Sequence, residues 1–148
     1  MTKLDCATVF VEQFFSEIDP NEYHPSVYLP GRPLNPPEDE EDPSFEGHKL
    51  VYVNEMFEDG DHNIYRVIDV LGNGTFSYVF KVQLMSQLTS FRALKIVKNL
   101  PQYRATGISE IIIHNQLHDA PPHPGKENVI MPLSTFEIEG HVCMILPL

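Results

Sequence analysis

Hydrophobic spacing changes character several times along this chain. Leu4, Ala7, Thr8, Val11, Phe14, Phe15 and Ile18 recur at intervals of three and four, with Asp5, Glu12, Glu17 and Asp19 elsewhere, which predicts an amphipathic helix over residues 3–18. The pattern lapses through a proline-rich stretch and returns as Leu50-Val51-Tyr52-Val53, a β-prone run that predicts an edge hairpin strand over residues 49–53. Two β-type runs then lie between Tyr65 and Val82, joined by a turn holding Gly72 and Gly74, and another alternates from Phe91 to Lys98. From Gln102 to Leu117 the spacing is helical through Tyr103, Ile108, Ile111, Ile112 and Leu117, while Gly107 lowers the propensity and leaves this helix freer to move. No internal repeat is visible, which argues against a solenoid.

Charge divides the chain. Its 148 residues carry 21 acidic and 10 basic side chains, a net charge of −11 that opposes the counterion release on which nonspecific nucleic-acid binding depends. Residues 1–62 hold −12 of this and residues 63–148 hold +1. Proline is bunched between Pro20 and Pro43, where Glu38-Asp39-Glu40-Glu41-Asp42 forms a run of carboxylates expected to be solvated and extended. The apolar face of the helix near residues 3–18 needs a partner surface, which is either another protein or its own domain. Its acidic polar face would be repelled by anionic lipid, so no membrane partner is expected.

Cys6 and Cys143 lie almost at opposite ends and form no disulfide framework, which fits a reducing compartment. No apolar run of about eighteen residues occurs, and Asp5 stands where a secretory signal would turn apolar. A soluble protein of the cytoplasm, the nucleus or both is the expectation.

Candidate chemistry is concentrated after Tyr65. Side chains at Gly72 and Gly74 would hold the backbone away from a ligand, whereas glycines leave amides free to face phosphate oxygens; an ordinary loop needing positive φ is the alternative. Strand alternation puts Ala93, Lys95 and Val97 on one face. A lysine sharing a face with a small residue beside a glycine hairpin suggests a phosphate-contacting cation, against the alternative of a snorkelling surface residue. Glu110, in mid-helix, either pairs with Lys95 across a helix–sheet interface or stays solvated. His114 and His118, with Asp119 and His123 nearby, lack the glutamate between histidines of the H-E-x-x-H arrangement, so no metal site is expected.

In order, G-x-G-x-F-x-x-V at Gly72 to Val79, A-x-K at Ala93 to Lys95 and the mid-helix Glu110 resemble the amino-terminal lobe of eukaryotic protein kinases. Leu71-Gly72-Asn73-Gly74-Thr75-Phe76, Leu94 to Asn99 and Tyr103 to Ile111 look like the dual-specificity tyrosine-regulated branch of the CMGC group. Leu50 to Glu55 is most similar to its Yak-type members. The resemblance covers residues 48–148. Residues 1–47 are then an acidic, proline-rich extension with a short amphipathic helix.

The resemblance implies an α+β fold: a five-stranded antiparallel sheet with one main helix, preceded by an acidic irregular extension. Val129 to Phe136 and His141 to Leu146 would be the fourth and fifth strands. It implies ATP and magnesium as cofactors and a protein substrate or regulatory partner. Amides of Asn73, Gly74, Thr75 and Phe76 would cover the β- and γ-phosphates, flanked by Leu71, Gly72 and Ser77. Val79 and Ala93 would roof the adenine, Leu146 would be the gatekeeper, and Pro147-Leu148 would begin the hinge. Lys95 would hold the α- and β-phosphates and Glu110 would orient it.

Three residues depart from the family pattern. Ser77 replaces the third glycine, which stiffens the loop tip. His114 stands where an apolar residue of the regulatory spine is usual. Pro147 has no N–H to offer an adenine. These 148 residues contain no H-R-D or D-F-G motif, so the magnesium ligands would lie in a carboxy-terminal lobe beyond the hinge, and this chain alone is expected not to transfer phosphate. The expected function is the ATP-binding lobe of a serine/threonine (dual-specificity) protein kinase; the alternative is a non-catalytic protein-interaction module.

Overall fold

The computed structural model describes residues 29–148, and the helix expected over residues 3–18 lies outside them. Six strands form one antiparallel sheet: β1 (Met56–Glu58), β2 (Ile64–Asn73), β3 (Ser77–Leu84), β4 (Phe91–Val97), β5 (Ser134–Ile138) and β6 (His141–Pro147). The order across the sheet is β1-β2-β3-β4-β6-β5. Among the described residues one α-helix, α1 (Pro101–Asp119), joins β4 to the β5–β6 hairpin. This is the expected antiparallel sheet with one main helix, with six strands in place of five because Met56–Glu58 adds a short edge strand beside β2.

Two expected strands are corrected. Residues 49–53 form no strand: Gly31 and Leu34 donate to the Val53 and Val51 carbonyls and Val53 donates to the Arg32 carbonyl, but only an isolated bridge, between Tyr52 and Pro33, results. Pro36 has no N–H for the Lys49 carbonyl, so the ladder does not continue. Asn35 fills the gap with its side chain, accepting from the Val51 N–H at 2.9 Å and donating to the Lys49 carbonyl at 2.9 Å. The strand expected over Val129 to Phe136 begins only at Ser134, because Pro132 interrupts its first half.

Strand alternation sends side chains to two faces. On one face Phe80, Val82, Leu94, Ile96, Cys143 and Ile145 form a fully enclosed core. Leu34 and Val51 pack into that same core, so part of the acidic extension belongs to the folded lobe. Truncating Leu94 to alanine there would cost about 2–5 kcal/mol. On the other face Val97, Val142 and Met144 meet Tyr103 and Ile111 of α1.

Helix α1 starts with Pro101 in its first turn, where a missing N–H costs nothing, and stops at Ala120 ahead of Pro121-Pro122. Gly107 is its buried residue, and a Cβ there would sit 3.3 Å from Val142 Cγ1 and 3.4 Å from Val97 Cγ2. The glycine that lowers helix propensity is therefore what lets the helix lie close to the sheet.

Candidate functional site

Sheet register places the singled-out side chains in adjoining rows on the helix-bearing face. Val79 pairs with Lys95 and Lys95 with Met144; Lys81 pairs with Ala93 and Ala93 with Leu146. Val79, Ala93, Lys95 and Leu146 thus share one patch beneath the β2–β3 hairpin. Leu71, Gly72 and Asn73 end β2, Gly74 to Phe76 form the turn, and Ser77 begins β3. Ser77 is buried and its carbonyl accepts from the Gly74 N–H at 2.9 Å, which closes the turn. Register shifts between Val67 and Asp69, and between Val70 and Gly72, bend β2 just before it. Leu148 lies exposed beyond β6.

Neither hairpin glycine is required by the fold around it. The glycines with positive φ are Gly47 and Gly140, not Gly72 or Gly74. A Cβ at Gly72 or Gly74 would meet nothing within 4 Å. The positive-φ explanation for this pair is therefore removed, and open space lies where a ligand could approach the backbone.

Lys95 and Glu110 meet across the interface. The Lys95 ammonium donates to Glu110 Oε2 at 3.0 Å and to Oε1 at 3.2 Å, with side-chain exposures of 16% for the lysine and 34% for the glutamate. The cation is the more enclosed partner, so removing Glu110 would strand a largely buried charge. An ammonium has three donors, and with two on one carboxylate the third remains for an anion above it. The ring of Phe76, at the hairpin tip, has its centroid 5.8 Å from Lys95 Nζ. The arrangement is a fixed cation beside a glycine turn whose Cα positions face open space, which is suited to phosphoryl oxygens.

His114 lies one turn after Glu110, its Nε2 3.7 Å from Glu110 Oε1 and its Nδ1 buried with no hydrogen-bond partner. With Ile111 and His118 it lines a cleft of about 260 Å³ between α1 and residues 131–135. His123 instead accepts from the Gly125 N–H, and among the described residues no three His, Cys, Asp or Glu side chains gather as a metal site.

Sequence reasoning did not single out Met144, fully buried beside Lys95, although alternation along β6 would have placed it with Val142 and Leu146. It also missed Arg104, whose partners Glu137 and Gly140 are more than thirty residues away, a separation that carries no local signal.

The chain matches no protein-family model. It is 35% identical over 91 residues to the serine/threonine-protein kinase ppk5 of Schizosaccharomyces pombe, covering 60% of this chain and 11% of that protein. It is 30% identical over 100 residues to the dual specificity protein kinase YAK1 of Saccharomyces cerevisiae, covering 67% of this chain and 12% of that protein. A solved kinase domain superposes with a TM-score of 0.50 at 22% identity, covering 62% of this chain and 25% of that one, a likeness of fold. The chain spans about a tenth of the length of the two kinases named.

Proposed function

We propose that this amino-terminal lobe of the eukaryotic protein-kinase family, related to its Yak-type members, is the ATP-binding half of a serine/threonine (dual-specificity) protein kinase. The observation that carries the reading is a pair of glycines that nothing in the described fold requires, set over a lysine held by a glutamate. With the Gly74 N–H held by the Ser77 carbonyl, the amides of Thr75 and Phe76 would take the terminal phosphates, Lys95 the inner ones, and the patch of Val79, Ala93 and Leu146 the adenine. Glu110 keeps the ammonium in place, so little reorganisation is needed when charge develops on the phosphates. Magnesium ligands are expected outside these residues, which contain no D-F-G motif. Transfer of the γ-phosphate to protein substrates is proposed for the whole kinase.

Calorimetric titration with Mg-ATP tests the reading. Saturable binding by the chain, weakened roughly tenfold or more in Lys95→Ala, is expected from the loss of a charge-assisted contact. A folded wild-type chain that takes up no Mg-ATP overturns it.

A second reading, a protein-interaction module, draws on Ile108, Ile112 and Ile113, which are 42–55% exposed along α1. Exposed apolar groups in such numbers mark contact surfaces more often than bare solvent faces. It predicts partner capture that is unchanged in Lys95→Ala, with no nucleotide bound by either form.

A further inference from the structure

Helix α1 has no cap of its own: Leu100 at the N-cap makes no side-chain hydrogen bond, and the first turn holds no acid. Two residues at its start grip the turn between β5 and β6 instead. Asn99 Nδ2 donates to the Glu139 carbonyl at 3.1 Å. Arg104 Nη1 donates to the Gly140 carbonyl at 2.6 Å and pairs with the Glu137 carboxylate. The turn is shaped to receive them, with Glu139 and Gly140 at φ of 50° and 82°. A Cβ at residue 140 would lie 2.8 Å from Asn99 Nδ2.

The chain ahead of β1 reaches the same place. Lys49 Nζ lies 3.2 Å from the Glu139 carboxylate, and the Asn99 N–H donates to the Gly47 carbonyl at 2.8 Å. Glu110 follows Arg104 by six residues, about 9 Å along the helix axis. Besides the buried Gly107, the helix meets the sheet through the partly buried Tyr103 and Ile111, contacts that carry little direction, whereas a guanidinium holding both a carboxylate and a carbonyl is directional.

We propose that Arg104 is a positioning residue: by clamping α1 to the β5–β6 turn it sets where Glu110 meets Lys95. The inference rests on the reading of Lys95 as the phosphate-holding cation and deepens it, by naming what keeps that cation in place.

The test needs no nucleotide. The 148-residue chain is acylated with an N-hydroxysuccinimide ester, and labelling of Lys95 is followed by peptide mass spectrometry relative to Lys81. Arg104→Ala is expected to raise the Lys95:Lys81 ratio several-fold, as Glu110→Gln does, while the double variant labels no faster than Glu110→Gln alone. A merely structural role would lower the melting temperature with the ratio unchanged, or would multiply the effect of Glu110→Gln; either result overturns the proposal. Should Arg104→Ala fail to fold, Glu137→Gln keeps the bond to Gly140, and a smaller rise in the ratio is expected; no rise overturns the clamp. Parallel Mg-ATP titrations keep the two readings apart. A chain that binds no Mg-ATP but whose ratio responds to Arg104 loses the nucleotide reading and retains the clamp, and the converse result sinks the clamp alone.

Discussion

The rings of Phe76 and Tyr103 stack, with centroids 6.1 Å apart and planes 18° from parallel. The tip of the glycine hairpin therefore rests on the first turn of α1, joining the two elements that frame Lys95. Lys98 Nζ lies 5.3 Å from the Tyr103 ring centroid and Lys95 Nζ 5.8 Å from that of Phe76, so each ring of the pair has a cation near it.

Removing one ring should loosen that contact. Tyr103→Ala is expected to cost roughly 0.5–1.5 kcal/mol from the aromatic pair, in addition to lost apolar burial. Amide hydrogen exchange across residues 74–77 should accelerate in the same variant. Unchanged exchange there would show that the hairpin tip is held by its own turn alone.

Gly72→Ala and Gly74→Ala should separate stability from binding. Neither position has a left-handed φ, and a methyl at either meets nothing within 4 Å. Thermal stability is expected to hold or to rise by about 0.4–1 kcal/mol, since alanine restricts the unfolded chain. Mg-ATP affinity is expected to fall. A loss of stability with affinity intact would mean that the glycines serve the fold.

Gly47→Ala should behave in the opposite way. Its φ is 81°, and a Cβ would sit 2.6 Å from Leu100 Cγ at the N-cap of α1. A cost of about 1–3 kcal/mol follows from the backbone conformation alone. Chemical denaturation would measure it, and a neutral result would mean that the segment ahead of β1 shifts freely.

His48 gives the lobe a dependence on acid. Burial foremost, with help from Lys98 and His141, pushes its imidazole from 6.5 down to about 4. Between those values the unfolded chain holds the proton more firmly than the folded one, so stability falls as pH drops through that window and is insensitive to this group above it. Melting temperatures at pH 7 and pH 5 should differ less in His48→Gln than in the wild type. Equal differences would remove His48 as the cause.

Much of the candidate site was legible because its members lie in short, locally patterned segments. Gly72-x-Gly74, Ala93-x-Lys95 and a helix with Glu110 at its middle each leave a periodic or compositional trace. Only the fold could bring Lys95 within 3.0 Å of a carboxylate fifteen residues on, because that distance depends on how closely α1 lies against β4 and β6. Residues 49–53 show the limit of local reading. Their strand propensity is genuine, and Gly31 and Leu34 donate to them, but a longer ladder needs a donor opposite Lys49, and Pro36 supplies none.

Local residue chemistry by itself determined β2, β3, β4, β6 and α1 and singled out the lysine, glutamate and glycines of the candidate site, since strand alternation, helical spacing and turn residues act over a few neighbours. Tertiary structure decided the rest. It set the sixth strand, the recruitment of Leu34 and Val51 to the core, the use of Gly107 as a point of close approach, and the grip of Arg104 on Glu137 and Gly140. Each of these joins residues far apart in the chain, and such contacts depend on packing in three dimensions, which no local pattern encodes.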